Sequence, residues 1–293
     1  MRRPPLHEAA TDLPVLPPLP SVLHGRQTDE QVYGWSRRVF SRPVLLGLVA
    51  ALCLTVVAGE AAAAPARPGI LETLLKWAPV IFTGFLFNIL VSVLSMALGT
   101  ATGVLLGLGQ ISPLRPLAQT SWLATQFFRN APWLVLLFYC MFLLPFQVQI
   151  GGLTIPLPDW VKAVVGLALP VMANVAEIVR GGVQSIPAGQ WESAESLAFT
   201  RRQTLWLVIL PQCLKRMLPP WMNLYAILTM ATTLISVVGI QDGMTLARAA
   251  LVAEGRTELF VPMYLMLLLW FFLYCYPIAR WTLHLERRVQ VIT

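Results

Sequence analysis

Four long stretches of this chain carry no Asp, Glu, Lys or Arg: Lys76 to Arg115, Arg129 to Asp159, Arg216 to Asp242 and Glu258 to Arg280. Each interval has room for the roughly 20 apolar residues that carry a helix across about 30 Å of hydrocarbon. Two shorter apolar segments, 44–59 and 161–179, complete a set of six helices, the second with Glu177 near its end. Composition agrees, since 57% of the 293 residues are hydrophobic and 12% are charged. A soluble domain has about 25% charged residues. Soluble globular, disordered and collagen-like classes are excluded. Open strands cannot face lipid, and runs such as LMLLLWFFLYCY are apolar on every side, without the alternation of a barrel. The expected fold class is all-α: a polytopic membrane protein of about six transmembrane helices.

Charge placement sets the expected topology. Residues 1–42 hold six Arg, no Lys and several Pro, the composition of an extended polar tail. Arg37, Arg38 and Arg42 abut the first helix (43–60), which argues for a cytoplasmic N-terminus. Six crossings return the C-terminus, with Arg280, Arg287 and Arg288, to the cytoplasm, and put Arg180, Arg201, Arg202, Lys215 and Arg216 on that side too. Arg248 and Arg256 fall outside, near Asp242, Glu254 and Glu258. The net charge of +7 is then topology bias, and no nucleic-acid partner is expected. A signal peptide cleaved within AGEAAAAPA is the alternative for the first helix. Cys53, Cys140 and Cys275 fall in spans and Cys213 is expected to face the cytoplasm, so no disulfide framework emerges. His7, His24 and His284 lack metal-site spacing.

The longest polar stretch inside the apolar core is the loop 182–218, GVQSIPAGQWESAESLAFTRRQTLWLVILPQCLKRML. Ser185 is expected to cap a helix with Pro187 in its first turn. Glu192 and Glu195 early, and Arg201 and Arg202 late, suit the dipole of that helix. Pro211 is expected to stop a second segment and Pro219-Pro220 to open the next membrane helix. A loop this long with helices of its own is usually functional; an amphipathic helix lying on the membrane surface is the alternative from pattern alone.

These residues resemble the signature E-A-A-x3-G-x9-I-x-L-P of binding-protein-dependent ATP-binding-cassette permeases. Here it reads Glu192-Ser193-Ala194, three residues, Ala198, nine residues, then Val208-Ile209-Leu210-Pro211. Ser193, Ala198 and Val208 replace the family's Ala, Gly and Ile, and loss of the Gly is expected to make the bend between the two short helices less sharp. Ala176 to Gly182 followed by Ser185 to Gln190 is similar to the AEIxRGG…SIPxGQ block of the polar amino-acid branch (histidine, glutamine, glutamate, arginine and opine importers). Arg129-Asn130-Ala131-Pro132 with Leu134-Val135 resembles its RGTPLLV block. Asn223 and Thr232 to Gly239 resemble its N…TSLxSVIG block, with Met230 and Ala231 where many members carry Lys and Asp or Asn. The resemblance covers roughly residues 80–290.

It implies a type I, MetI-like importer permease fold, with a five-helix core domain at 76–290 and an extra first helix at 43–60. It also implies that the loop couples to a cytoplasmic ATPase. Gly189, Glu192, Ser193, Ala194, Ala198, Leu210 and Pro211 form that element, Glu192 making polar contact with the ATPase and Ala194 and Ala198 permitting close approach. The implied partners are two ATP-binding-cassette subunits, a second permease (identical or homologous), an external solute-binding protein and the bilayer of the bacterial inner membrane. The binding protein would meet loops 60–75, 146–161 and 240–258. No cofactor is expected in this chain: Lys76, Lys162 and Lys215 follow Leu, Val and Leu, so no Gly-Lys phosphate loop exists. ATP and Mg would be bound by the ATPase, and the chain itself is not expected to be an enzyme.

Polar residues inside spans are candidates for the translocation path or its gate: Glu177, Arg180, Arg129, Asn223, Thr232 and Thr233. Glu177 can pair with Arg180 three residues on, or with Arg129, so structure and gating both remain open. Helix–helix hydrogen bonding is as good a role for Asn223, Thr232, Thr233 and Ser236. Gly99, Gly103 and Gly107 form a ridge suited to helix packing. The rival readings are an ion-coupled secondary transporter acting without an ATPase, which would need repeats and coupling-ion sites, and an intramembrane enzyme.

Overall fold

The computed structural model describes residues 42–62, 68–150 and 153–290. The tail at 1–41 and part of the segment proposed for cleavage, 63–67, lie outside them. Helix α1 spans Arg42–Ala62 and α2 spans Ile70–Gln110. At 1.5 Å per residue, the 41 residues of α2 extend about 60 Å, twice the hydrocarbon thickness. Next come α3 (Arg115–Asn130), α4 (Trp133–Leu143) and a two-stranded hairpin, β1 (Gln147–Ile150) and β2 (Leu153–Pro156). Helix α5 (Asp159–Gln184) leads to the short α6 (Ala188–Ser196). A continuous helical run, α7, covers Arg201–Val238, then α8 covers Gly243–Glu254 and α9 covers Phe260–Gln290. Among the described residues, four helices (α2, α5, α7 and most of α9) are long and apolar enough to cross a membrane, and α1 and α4 contain shorter apolar helices.

The interval between Arg129 and Asp159 departs from expectation. Its helix is only 11 residues long, about 16 Å, and it continues α3 after a break at Ala131 and Pro132, both extended (ψ 138° and 129°). A residue before proline is pushed out of the helical region, and this explains the break. Beyond Leu143 the alternating QVQI and LTIP pair as an antiparallel hairpin, Val148 opposite Ile155, in a connection where the backbone need not be helical. Fully buried Lys162, at the start of α5, anchors the root of the hairpin. Its Nζ lies 3.6 Å from the centre of the Phe146 ring and 3.2 Å from Asp159 Oδ1.

Helix α2 is shared by two apolar clusters. One joins its C-terminal half to α4, α5 and α7 through Val91, Met96, Leu137, Leu167, Val171 and Leu228, among others. The other joins its N-terminal half to α8 and α9 through Ile70, Ile81, Phe85, Leu251, Met263 and Leu267. The glycine ridge is the seam of the first cluster. A Cβ on Gly99, Gly103 or Gly107 would fall within 2.5–2.8 Å of α5 at Val171, Met172 or Val179 and their neighbours, so only hydrogen lets the backbones approach this closely. In the second cluster Phe85 sits among Trp270, Phe271 and Tyr274, with an edge-on contact of 5.0 Å to Phe271.

The N-terminal half of α2 is also held by polar groups. Asn88, fully buried, donates to Thr232 Oγ1 (3.2 Å) and Asp242 Oδ2 (3.1 Å) and accepts from the Gly243 amide (3.0 Å). Asp242 caps α8 by accepting from the Thr245 amide at 2.8 Å. At the far end of α8, Glu254 accepts from Lys76 Nζ and Trp77 Nε1, at 2.8 and 2.7 Å. The hydrogen bond from Lys76, then that from Trp77, holds the Glu254 carboxyl below its ordinary range.

Candidate functional site

The loop between α5 and α7 folds as an elbow. Helix α6 starts at Ala188 without a side-chain cap. Ser185 instead ends α5, its hydroxyl donating to the Gly182 carbonyl at 2.7 Å, because α5 continues helically to Gln184. The arginines expected at the end of this helix begin the next one: Thr200 caps it, accepting from the Gln203 amide while Gln203 Oε1 accepts from the Thr200 amide. The reason is the turn at Ala198, which stands at φ 58°, the left-handed region. There the Ala198 amide bonds to Glu195 O (2.8 Å) and the Phe199 amide to Ala194 O (3.1 Å), closing the C-terminus of α6. The bend is therefore kept without glycine, at a backbone cost of about 1 kcal/mol.

Within the elbow the small residues divide. Ala194 is 3% exposed and turned into the chain's own fold, and Trp191, Leu205 and Val208 of the same loop pack against the first cluster. The Ala194 side chain is thus already covered within this chain. Gly189, Glu192, Ser193 and Ala198 are exposed. So are Leu197 (70%) and Phe199, large apolar residues on the same turn that the motif did not single out. Exposed apolar side chains immediately around a sharp turn were the available signal.

Neither Pro211 nor Pro219-Pro220 breaks α7. Residues Thr204–Ile209 form a wider π turn ahead of Pro211, which stands at the second position of the regular helix that follows, so the change of register there accommodates it without ending the run. Leu210 is partly buried against the first cluster while Pro211 is exposed. Cys213 is fully buried, its Sγ 3.2 Å from Gly182 O, and does not face the cytoplasm because α7 packs on α5 at this level. Arg216 donates to Ser185 O at 2.7 Å and ties the two helices beneath.

Between α5, α7 and the end of α3 lies an open hollow of about 600 Å³. It is lined by Arg129, Asn174, Glu177, Ser185, Arg216 and Asn223, with Gly181, Gly182, Ile178, Pro220, Leu224 and Ile227. On α5 the positions 174, 177, 178, 181, 182 and 185, and on α7 the positions 216, 220, 223, 224 and 227, each follow the three-and-four spacing of one helix face. Glu177 Oε2 is shared by Arg180 Nη2 (2.6 Å) and Arg129 Nη1 (3.5 Å), so both sequence-level pairings exist together. Arg180 also donates to Gln184 Oε1 at 3.2 Å. Two guanidinium groups thus share one carboxylate at the hollow while a third, Arg216, lines it separately, leaving local positive charge.

The other two candidates lie elsewhere. Thr232 is fully buried, donating to Thr229 O and accepting from Asn88, and Thr233 donates to Met230 O. Both belong to the 3₁₀ segment that ends α7, and neither lines the hollow. Asn174, Ser185 and Arg216 are the lining residues the sequence reading passed over. The signal for Asn174 was its place three residues before Glu177 on a largely apolar helix.

Membrane-length helices, a folded elbow between two of them and a polar hollow beside it make this a membrane-embedded protein with a polar recess among its helices. The chain belongs to the family of binding-protein-dependent transport system inner membrane components, whose profile matches residues 99–291. It is similar to the inner membrane amino-acid ABC transporter permease protein YhdY of Escherichia coli, 31% identical over 70% of this chain and 55% of that protein. It is similar also to the probable amino-acid ABC transporter permease protein YckA of Bacillus subtilis, 31% identical over 67% of this chain and 83% of the relative. The chain thus spans about half the length of the first relative and most of the second. Among solved structures, an amino acid ABC transporter with histidines superposes with a TM-score of 0.66 at 26% identity, covering 76% of this chain and 99% of the other. The inward-facing MetNI methionine ABC transporter shares the fold, with a TM-score of 0.53 at 18% identity over 76% and 99% of the two chains.

Proposed function

We propose that this chain forms half of the translocation pathway of an ATP-driven importer of a polar amino acid or related small polar solute. Its core domain is 76–290 and its extra helix 43–60. Family membership supports the transport role, and the amino-acid permeases among its relatives support the substrate class. The observation that carries the reading is the elbow: Gly189, Glu192 and Ser193 stay exposed while Ala194 is buried and Ala198 makes the turn. An exposed carboxylate on a turn that also exposes Leu197 and Phe199 suits a docking surface for another protein. That protein is the ATPase, which supplies the ATP and Mg chemistry this chain lacks. Two permeases and two ATPases make the assembly in the bacterial inner membrane, both termini of this chain are cytoplasmic, and an external binding protein delivers solute.

In this reading the elbow moves with the ATPase, and Arg216 to Ser185 and Cys213 to Gly182 carry the motion to α5 and α7, which line the hollow. ATP binding and release shift the population between inward- and outward-open forms. In the hollow, Arg129 and Arg216 receive the solute carboxylate while Asn174 and Asn223 offer hydrogen bonds. The Glu177 carboxylate holds Arg129 and Arg180 in place.

Glu192→Arg tests the elbow. The expected outcome is loss of ATPase co-purification, or uptake reduced at least tenfold in proteoliposomes with ATPase activity retained; unchanged assembly and uptake would remove the assignment. The ion-coupled reading predicts uptake on a gradient without ATPase or ATP, which the same vesicles measure.

A further inference from the structure

A second hollow, of about 760 Å³, lies on the elbow side between the C-terminal end of α2, the start of α3 and the start of α7. Its walls are largely aliphatic, including Leu105, Leu106, Leu108, Leu117 and Met172, and Arg201 and Arg202 stand together at one edge. Both arginines are exposed, and among the described residues neither forms an ion pair. Glu195 lines the adjoining hollow with Arg201 but stays beyond ion-pair reach. Both also open the 38-residue run Arg201–Val238, the end at which a helix dipole disfavours cations. Two exposed like charges placed there without a protein counter-charge make a local positive potential that attracts an anion. Leu105 is 71% exposed, and Trp206 and Leu207 are exposed one turn beyond the arginines, the arrangement of a surface at the lipid–water boundary.

We propose that this groove binds an anionic phospholipid, its acyl chain lying against Leu105, Leu108 and Leu117 and its phosphate held by Arg201 and Arg202. Charge complementarity selects the headgroup, and the aliphatic wall selects a lipid over a free phosphate. The bound lipid bridges α2 and α3 to the helix that leaves the elbow. The site depends on the chain's membrane location and not on its substrate.

Native mass spectrometry of the full-length permease in micelles containing phosphatidylglycerol or phosphatidylcholine reads the site. Wild type retains phosphatidylglycerol about tenfold over phosphatidylcholine. The double variant Arg201→Gln/Arg202→Gln loses that preference. Leu105→Trp, with both arginines intact, also loses retention because the indole fills the groove, while Lys215→Gln, an exposed charge outside it, leaves retention unchanged. Equal retention of the two lipids by wild type overturns the proposal, as does wild-type retention by the double arginine variant. Loss with the arginine variant but not with Leu105→Trp overturns it too, since the charges would then act on an open surface.

Discussion

Both halves of α2 use glycine for close approach, Gly84 against Gly243 of α8 and a ridge of three against α5, but the N-terminal half adds a buried polar network and an ion pair. Toward its C-terminus, Gly99, Gly103 and Gly107 bring α5 into backbone contact, with Val171, Val175 and Val179 filling the seam. Toward its N-terminus, the same helix meets α8 and α9 through aromatic rings and through polar anchors: Asn88 with Asp242, Lys76 and Trp77 with Glu254, and Arg256 Nη1 with the Pro68 carbonyl at 2.7 Å. A glycine seam has one tight arrangement and no slack, because protein interiors tolerate little change of volume. Polar anchors can be released and remade one at a time.

That contrast can be broken at three places, in descending order of effect. Gly103→Leu places its first carbon 2.6 Å from Met172 O and should destabilise the purified permease by about 3 kcal/mol or prevent its accumulation; an unchanged melting temperature would mean the seam is loose. Asn88→Leu leaves the Asp242 carboxylate and the Gly243 amide short of a partner in a buried site. It should lower stability by about 2 kcal/mol, with faster hydrogen exchange confined to α8. Equal exchange across α5 would show that the two halves are not separate.

The smallest effect concerns pH. Because the Glu254 carboxyl is lowered from 4.5, its contribution is present above that value and is lost as pH falls through the lower folded value. Melting curves of wild type and Glu254→Gln should differ slightly at neutral pH and converge in acid. A difference that grew in acid would contradict the sign. Lys76 is largely exposed in this pair, so screening keeps the effect small.

Much of this was legible along the chain. Glycines at every fourth residue could only mean close packing, and the pairing of Glu177 with Arg180 followed from their spacing. Spacing could not say that Glu177 also engages Arg129, since that depends on where α3 ends. The elbow shows the limit from the other side: the Ala at 198 suggested a relaxed bend, yet the hydrogen bonds from 198 and 199 back to α6 hold it in the left-handed region. Local rules make proline a stop, yet the π turn before Pro211 lets the helix run on.

The sequence by itself determined the class of solvent this protein lives in, the number and rough limits of its apolar segments, and the place of its polar loop. All three depend on runs of neighbouring residues, and the cost of putting charge in hydrocarbon enforces them. Only the tertiary structure decided which polar groups share a hollow, why Thr232 belongs to the Asn88–Asp242 anchor and not to the hollow, and which residues of the elbow face outward. Those outcomes turn on contacts between helices far apart in the chain, where a rotation of one helix face changes every partner.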